Sequence, residues 1–366
     1  MIPVSQWKKE SAIPFFATYI SPIAREHVET VLESGFLSEG FWVRNFEEML
    51  EEKFKLPKDS VVAVNSGTSA LHLALATLGI GGMDEVLLPA QTFVATGLAV
   101  KYTGATPVFC DIRMDGNIDP EDVVRKITPR TKAVIAVNWA GKPCDPELVD
   151  ICNLHGVKLI VDAAQSLGYG MIGDITCLSF QATKHLTTGD GGAVICKDPA
   201  NYERARKLSW FGINKDQDLP DILGERVYNL HEVGFKYHMN NVAAAIGCGN
   251  LVGLEERQEH RSEIAKTYFF NINPDIARAT HTSGAFWAYP IYVDSVGRFS
   301  RFCYKEFRIP VSILHRGIDR NAIFGSVDPT LKYQRIWEQH VTHLPVHHEI
   351  SVDDALWICD QINQYV

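Results

Sequence analysis

The chain contains no run of eighteen apolar residues, so nothing in it reads as a membrane-spanning helix. It contains no C-x-x-C pair either. Its 8 cysteines are scattered, several of them in expected strands, as buried free thiols in a reducing compartment would be. A disulfide framework is excluded on that pattern, and the expected location is the cytoplasm. Positive charge is in deficit. The net charge of −9 argues against nucleic acid or an anionic membrane surface as a partner. No G-x-G-x-x-G follows a strand and no G-x-x-x-x-G-K-[ST] occurs, so a dinucleotide or nucleoside-triphosphate enzyme has little support. Internal repeats and low-complexity linkers are absent. The first ten residues, Met1-Ile-Pro-Val-Ser-Gln-Trp-Lys-Lys-Glu, lack the long apolar run of a signal peptide.

What is present is a chain of 366 residues, 46% hydrophobic, enough for one large domain and a smaller companion. Ser21-Pro22 opens a helix as cap and first turn, and Gly35 closes it. Val43, Phe46, Leu50 and Phe54 recur at helical spacing on a second helix. From Val61 to Cys196, short apolar strands alternate with helices. The strands are Val61 to Val64, Val86 to Leu88, Pro107 to Cys110, Ala133 to Val137, Lys158 to Val161, Cys177 to Phe180 and Ala193 to Cys196. This alternation implies a mostly parallel sheet with helices on both faces. Asn201 to Gly212 reads as a basic helix, with Arg206 and Lys207 on a solvated face. Residues 213 to 228 read as a polar loop. Val242 to Gly253 is rich in Ala and Gly, which suits close packing on another element, expected to be a second subunit. A composition shift near Leu254-Glu-Glu-Arg marks a long helix into a second domain. The expected division is therefore 1–253 and 254–366. Ala285 to Val293 and Arg308 to Leu314 read as strands of the second domain, and Ser351 caps the last helix.

In such a sheet ligands collect at the carboxyl ends of the strands. Ser66, Phe93, Asp162 and Lys184 all fall there. Asn65-Ser66-Gly67-Thr68-Ser69 turns a strand directly into a helix. Free N–H groups, the helix dipole and nearby hydroxyls make that turn an anion site. Each residue also has an ordinary reading: Ser66 as a simple N-cap, Phe93 as core, Asp162 as a helix cap. Lys184 lies in a turn rich in Thr and Gly between two buried strands. Such a lysine is ordinarily solvated. Beside a sheet-end cleft, however, its amine can form a Schiff base with a carbonyl compound. Jointly the four describe a site.

These motifs resemble the sugar aminotransferases of the DegT/DnrJ/EryC1/StrS family over nearly the whole chain. The resemblance is carried by Gly35-Phe-Leu-Ser-Glu-Gly40, Asn65-Ser-Gly-Thr-Ser-Ala-Leu71, Pro89-Ala-Gln-Thr-Phe-Val-Ala-Thr96 and Val161-Asp-Ala-Ala-Gln165. It continues in Ser179-Phe-Gln-Ala-Thr-Lys184, Thr188-Gly-Asp-Gly-Gly192, Gly234-Phe-Lys-Tyr-His-Met-Asn240, Ala243-Ala-Ala-Ile-Gly247 and Leu344-Pro345. It implies the α/β fold of type I aminotransferases: a large domain built on a mostly parallel, seven-stranded mixed sheet, and a smaller C-terminal α+β domain.

The resemblance also implies pyridoxal 5′-phosphate as cofactor. Lys184 would hold it in a Schiff base and shuttle the proton. Asp162 would pair with the pyridinium nitrogen. Phe93 would stack on one face of the ring, and Gln165 would contact the other face or the 3′ oxygen. Ser66, Gly67, Thr68 and Ser179 would surround the phosphate. Asn240 would reach the phosphate of a neighbouring subunit, so a homodimer with shared sites is expected. An amino acid, commonly glutamate, would donate the amino group. A keto-sugar, commonly a nucleotide-linked 4-keto-6-deoxyhexose, would accept it. One branch of the family has His at the Lys184 position and dehydrates sugars with pyridoxamine phosphate. Lys184 disfavours that reading, and the intact set of Lys184, Asp162 and Gln165 disfavours a non-catalytic cofactor-binding sensor. His185, next to the lysine, and His315, where relatives place substrate-facing histidines, are the substrate candidates. A surface loop is the equal alternative for His315. The segment Gly168 to Asp174 is shorter than in relatives and Lys207 to Ile213 runs into a polar insertion, so the substrate mouth departs from the pattern. His343, His347 and His348 cluster, but Pro345 interrupts them. They are expected to be solvated loop residues, and no metal is expected.

Overall fold

The computed structural model describes residues 13–214, 222–225 and 228–365. The first ten residues and most of the 213–228 loop lie outside the described residues. Helix α1 (Pro22–Ser34) begins where the Ser21 hydroxyl accepts the Ala24 N–H at 3.0 Å, and it ends at Gly35, whose φ of 67° is left-handed. Helix α2 (Phe41–Phe54) follows.

Next comes the strand–helix alternation: β1 (Val61–Val64), α3 (Gly67–Thr77), β2 (Glu85–Pro89), α4 (Val94–Tyr102), β3 (Thr106–Cys110), α5 (Pro120–Lys126), β4 (Thr131–Val137), α6 (Glu147–His155), β5 (Lys158–Asp162), β6 (Ile175–Ser179) and β7 (Gly192–Cys196). The seven strands form one sheet in the order β1-β7-β6-β5-β4-β2-β3. The run from β6 to β3 is parallel, and β7 is antiparallel to both of its neighbours. The strands are near-continuous apolar runs because helices cover both faces. One face packs Phe46, Leu50, Leu148 and Leu251 on Ala63, Val134 and Val161. The other packs Leu73, Ala99, Val100 and Leu208 on Val62, Val86 and Ile135.

The free edge of β1 is covered by carboxylates. Glu47 Oε1 accepts the Ala63 N–H at 2.8 Å, and Glu51 Oε1 accepts that of Ser60 at 2.8 Å. An edge strand treated this way cannot template another chain. Arg206, on helix α7 (Pro199–Ser209), donates to Glu47 Oε2 at 3.1 Å. Its expected place on a solvated face is therefore corrected: the buried carboxylate draws it inward.

Helix α8 (Asn241–Leu251) uses its glycines for close packing within the chain. A Cβ at Gly249 would lie 2.3 Å from the Ala24 nitrogen of α1, and one at Gly247 would lie 2.6 Å from the Phe46 ring of α2. The 18-residue helix α9 (Leu254–Asn271) leads to a second sheet of β8 (Ala277–Ala279), β9 (Tyr289–Val293) and β10 (Val341–Leu344). All of its pairings are antiparallel, in the order β10-β9-β8. Helices α10 (Val296–Phe307) and α12 (Val352–Ile362) pack against it, while α11 (Lys332–His340) precedes β10.

The strand expected at Arg308 to Leu314 is corrected. Only Ser312 pairs, with His343, through one reciprocal couple of hydrogen bonds of 3.2 and 2.9 Å. Pro310 has no N–H to extend a ladder. Leu314, at a φ of 58°, turns the chain away after Ser312.

Candidate active site

A cavity of about 370 Å³ opens at the carboxyl ends of the parallel strands. Ser66, Gly67, Thr68, Phe93, Asp162, Gln165, Ser179, Lys184 and His315 all line it. Residues from every part of the chain thus meet in one place.

At one end lies the first turn of α3. Ser66 caps the helix: its hydroxyl accepts the Ser69 N–H at 3.0 Å. The N–H groups of Gly67 and Thr68 have no partner among the described residues. A helix start with free N–H groups and the Ser179 hydroxyl close by is an anion cradle. Gly67 is required there. A Cβ on it would lie 2.8 Å from Ser179 Cβ.

Asp162, the last residue of β5 and only 5% exposed, also lines the cavity. Thr96 Oγ1 donates to its Oδ2 at 2.9 Å, and the Ala164 N–H donates to its Oδ1 at 3.1 Å. Because Thr96 spends its proton on the carboxylate, the 2.7 Å contact with Thr92 has Thr92 as donor. Burial raises the Asp162 carboxyl above its ordinary range, against these hydrogen bonds and the nearby Lys184 charge. Each oxygen takes one hydrogen bond and can accept a further donor from the cavity.

Lys184 lines the same cavity. Burial lowers its amine to about 8, with Asp162 pulling the other way. Its Nζ lies 4.0 Å from the centroid of the Trp287 ring. Trp287 Nε1 donates to the Thr183 carbonyl at 2.9 Å, and its ring stacks on Phe16 at 4.6 Å. Gln165 accepts the Ala140 N–H through Oε1 at 2.7 Å, which leaves its amide N–H groups for the cavity.

Phe93 is 53% exposed and stands 5.1 Å from the His315 ring. The His315 loop is fixed from behind. Gln91 donates to the His315 carbonyl at 3.0 Å and accepts from Gln334 at 2.7 Å. Burial and the Lys184 charge lower the His315 imidazole to about 4.

Two expected site residues lie elsewhere. His185 does not line the cavity. It is buried on the far side of the turn, where its Nε2 bonds the Ala285 carbonyl at 2.9 Å. Gln181, Thr183 and Lys184 of this turn line the cavity, whereas His185 turns away from it. Asn240 is exposed at the start of α8, where its Oδ1 accepts the Ala243 N–H at 2.9 Å. The His343 and His347 expectation is also corrected: both are buried, not solvated. Trp139 donates to His343 Nε2 at 3.2 Å, so Nδ1 carries the proton that goes to the Ser312 carbonyl at 2.9 Å. His347 Nε2 bonds the Pro14 carbonyl at 2.8 Å.

Sequence reasoning missed Thr92, Thr96, Trp287 and Phe16. The four-residue spacing of Thr92 and Thr96 was a usable signal. Nothing local marks Trp287 or Phe16, which arrive from distant segments.

A sequence profile of the DegT/DnrJ/EryC1/StrS aminotransferase family matches residues 19–363. The chain belongs to this family. GDP-perosamine synthase of Escherichia coli O157:H7 is 29% identical over 96% of the chain and 98% of the relative. The dTDP-4-dehydro-2,3,6-trideoxy-D-glucose 4-aminotransferase of Saccharopolyspora spinosa is 34% identical over 66% of each. The crystal structure of the sugar aminotransferase CalS13 from Micromonospora echinospora superposes with a TM-score of 0.90 at 29% identity, covering 97% of this chain and all of that one.

The family comprises pyridoxal-phosphate-dependent sugar aminotransferases. The donor set of this chain fits that cofactor. One cavity brings together an anion cradle, a desolvated carboxylate with spare acceptor capacity and a lysine amine of lowered basicity.

Proposed function

We propose that this sugar aminotransferase moves the amino group of L-glutamate to a nucleotide-linked 4-keto-6-deoxyhexose. One observation carries the reading: Lys184 and Asp162 line a single cavity together with an anion cradle. Two relatives, a GDP-perosamine synthase and a dTDP-4-dehydro-sugar 4-aminotransferase, support the substrate class.

Pyridoxal phosphate, once bound, draws electrons from the carbon bearing the amino group, and that is the chemistry it supplies. The chain does the rest. Gly67, Thr68 and Ser179 hold the phosphate through N–H groups and a hydroxyl, with Ser66 shaping the turn. Asp162 accepts from the ring nitrogen and keeps it protonated, while Thr96 fixes the orientation of the carboxylate. Phe93 would pack on the bound ring, and Gln165 would donate to it through its free amide N–H groups. Lys184 Nζ would be the attachment point and would serve as the proton carrier of the reaction. With an amine near 8, it both gives and takes a proton near neutrality. His315 faces the sugar.

In this reading two copies form a homodimer and the exposed Asn240 reaches the neighbouring site. Residues 1–253 form the cofactor domain and 254–366 the small domain. The enzyme works in the cytoplasm on amino-sugars of surface polysaccharides such as O-antigens. The test is the visible spectrum of the purified protein with pyridoxal phosphate, before and after glutamate. A band near the visible edge that bleaches with glutamate, followed by amination of a nucleotide 4-keto-6-deoxyhexose, is expected. No band, or a band indifferent to every amino donor, overturns the reading.

A further inference from the structure

The Lys184 amine has no hydrogen-bond acceptor within the described residues. What it meets instead is a ring face: Nζ lies 4.0 Å from the Trp287 centroid. That ring is held by three contacts. Its Nε1 is spent on the Thr183 carbonyl at 2.9 Å, one residue from Lys184 itself. Its backbone N–H donates to the Ala140 carbonyl at 3.0 Å. Its other face stacks on Phe16 at 4.6 Å, with only 23° between the planes. The ring is 4% exposed.

We propose that Trp287 is the positioning residue of the Lys184 amine, with Phe16 as its brace. The indole face attracts the ammonium form without accepting a hydrogen bond. An amine held this way stays within the cavity yet is free to leave at once, because no hydrogen bond has to break. A carboxylate in the same place would trap the proton on Nζ, and an aliphatic wall would favour its loss. Trp287 thus sets both where the free amine rests and how readily it keeps its proton. The inference rests on the reading of Lys184 as the proton-moving group. The other titratable groups around the amine are Asp162, Asp190 and His315, which line the cavity, and His185 behind the turn.

The test uses the cofactor-free protein and needs no turnover. The rate at which trinitrobenzenesulfonate modifies Lys184, followed by peptide mass spectrometry across pH, reports the amine's titration. Trp287→Leu removes the ring face, and the midpoint should fall by about one pH unit. Trp287→Phe keeps an aromatic face and should restore most of the shift. Phe16→Leu loosens the brace, leaves Trp287 in the chain, and should move the midpoint in the same direction by less. It also keeps the test decisive if Trp287→Leu fails to fold. A midpoint that stays put or rises in both leucine variants overturns the proposal. A wild-type protein that gives no absorbance band with pyridoxal phosphate, yet shows these shifts, overturns the functional reading and leaves Trp287 in its role.

Discussion

Asp162 and Lys184 face one cavity, and burial moves both toward neutrality: the carboxyl upward, the amine down to about 8. Each lowers the cost of the other's charge, but neither is fully compensated by the protein alone. In the proposed mechanism, a cationic ring nitrogen against Asp162 would complete the balance. The cofactor-free site is therefore electrostatically unfinished, and the consequences can be measured.

In the proposed mechanism, Lys184→Ala removes the attachment point and the proton carrier together. Transamination should fall by at least about a thousandfold, the scale of a lost acid–base group. Borohydride should no longer fix cofactor to the protein, while circular dichroism stays unchanged. Full activity in this variant would sink the mechanism.

Asp162→Asn separates charge from shape. Its Oδ1 and Oδ2 accept one hydrogen bond each, and an amide can keep one of them. The rate of glutamate-driven bleaching should drop by about a hundredfold or more, because the ring nitrogen loses its anionic partner. The cofactor-free variant should unfold at no lower temperature than wild type, since a desolvated charge has gone. A large loss of stability would contradict the burial argument.

Gly67→Ala puts a methyl 2.8 Å from Ser179 Cβ, and the two backbones must part. Cofactor affinity should weaken by about tenfold or more, read by titration of the absorbance band. Affinity for the phosphate-free aldehyde pyridoxal should change much less, which would locate the damage at the phosphate.

Acid should destabilise the fold through buried imidazoles. His343 is lowered to about 3, and His281 to about 4, by burial. Their folded values lie below the unfolded one near 6.5, so the unfolded chain binds more protons in between. Stability is thus complete above about pH 6.5 and declines as pH falls toward 4. The slope is about 1.4 kcal/mol per pH unit for each such histidine. Urea unfolding of the cofactor-free protein at pH 7.5 and 5 reads it. The raised Glu47 carboxyl, at about 7, acts in the opposite direction, so the same comparison is made in Glu47→Gln, where equal stabilities at the two values would rule out neutral buried imidazoles.

Glu47→Ala should cost about 1–3 kcal/mol in the same assay, because it orphans the Ala63 N–H at the sheet edge and leaves Arg206 without its carboxylate. Glu47→Gln retains an acceptor and should lose less.

Much of this was legible in the chain itself. Apolar runs of four or five residues, each followed by a helix start, set the strand–helix alternation. Ser21, Gly35 and Ser351 mark helix ends through local hydrogen bonds and a left-handed turn, so residue type alone determines them. The Lys184 turn and the Asp162 strand end are likewise short-range features. The tertiary structure alone decided which way each neighbour points and what arrives from afar. His185 turns into the core because its ring finds the Ala285 carbonyl there. The small residues of α8 serve α1 and α2 because those helices close on it within the chain. Trp287 and Phe16 become the wall beside Lys184 through contacts between segments far apart in sequence. No local propensity encodes such contacts; they exist only once burial of the whole chain has brought the segments together.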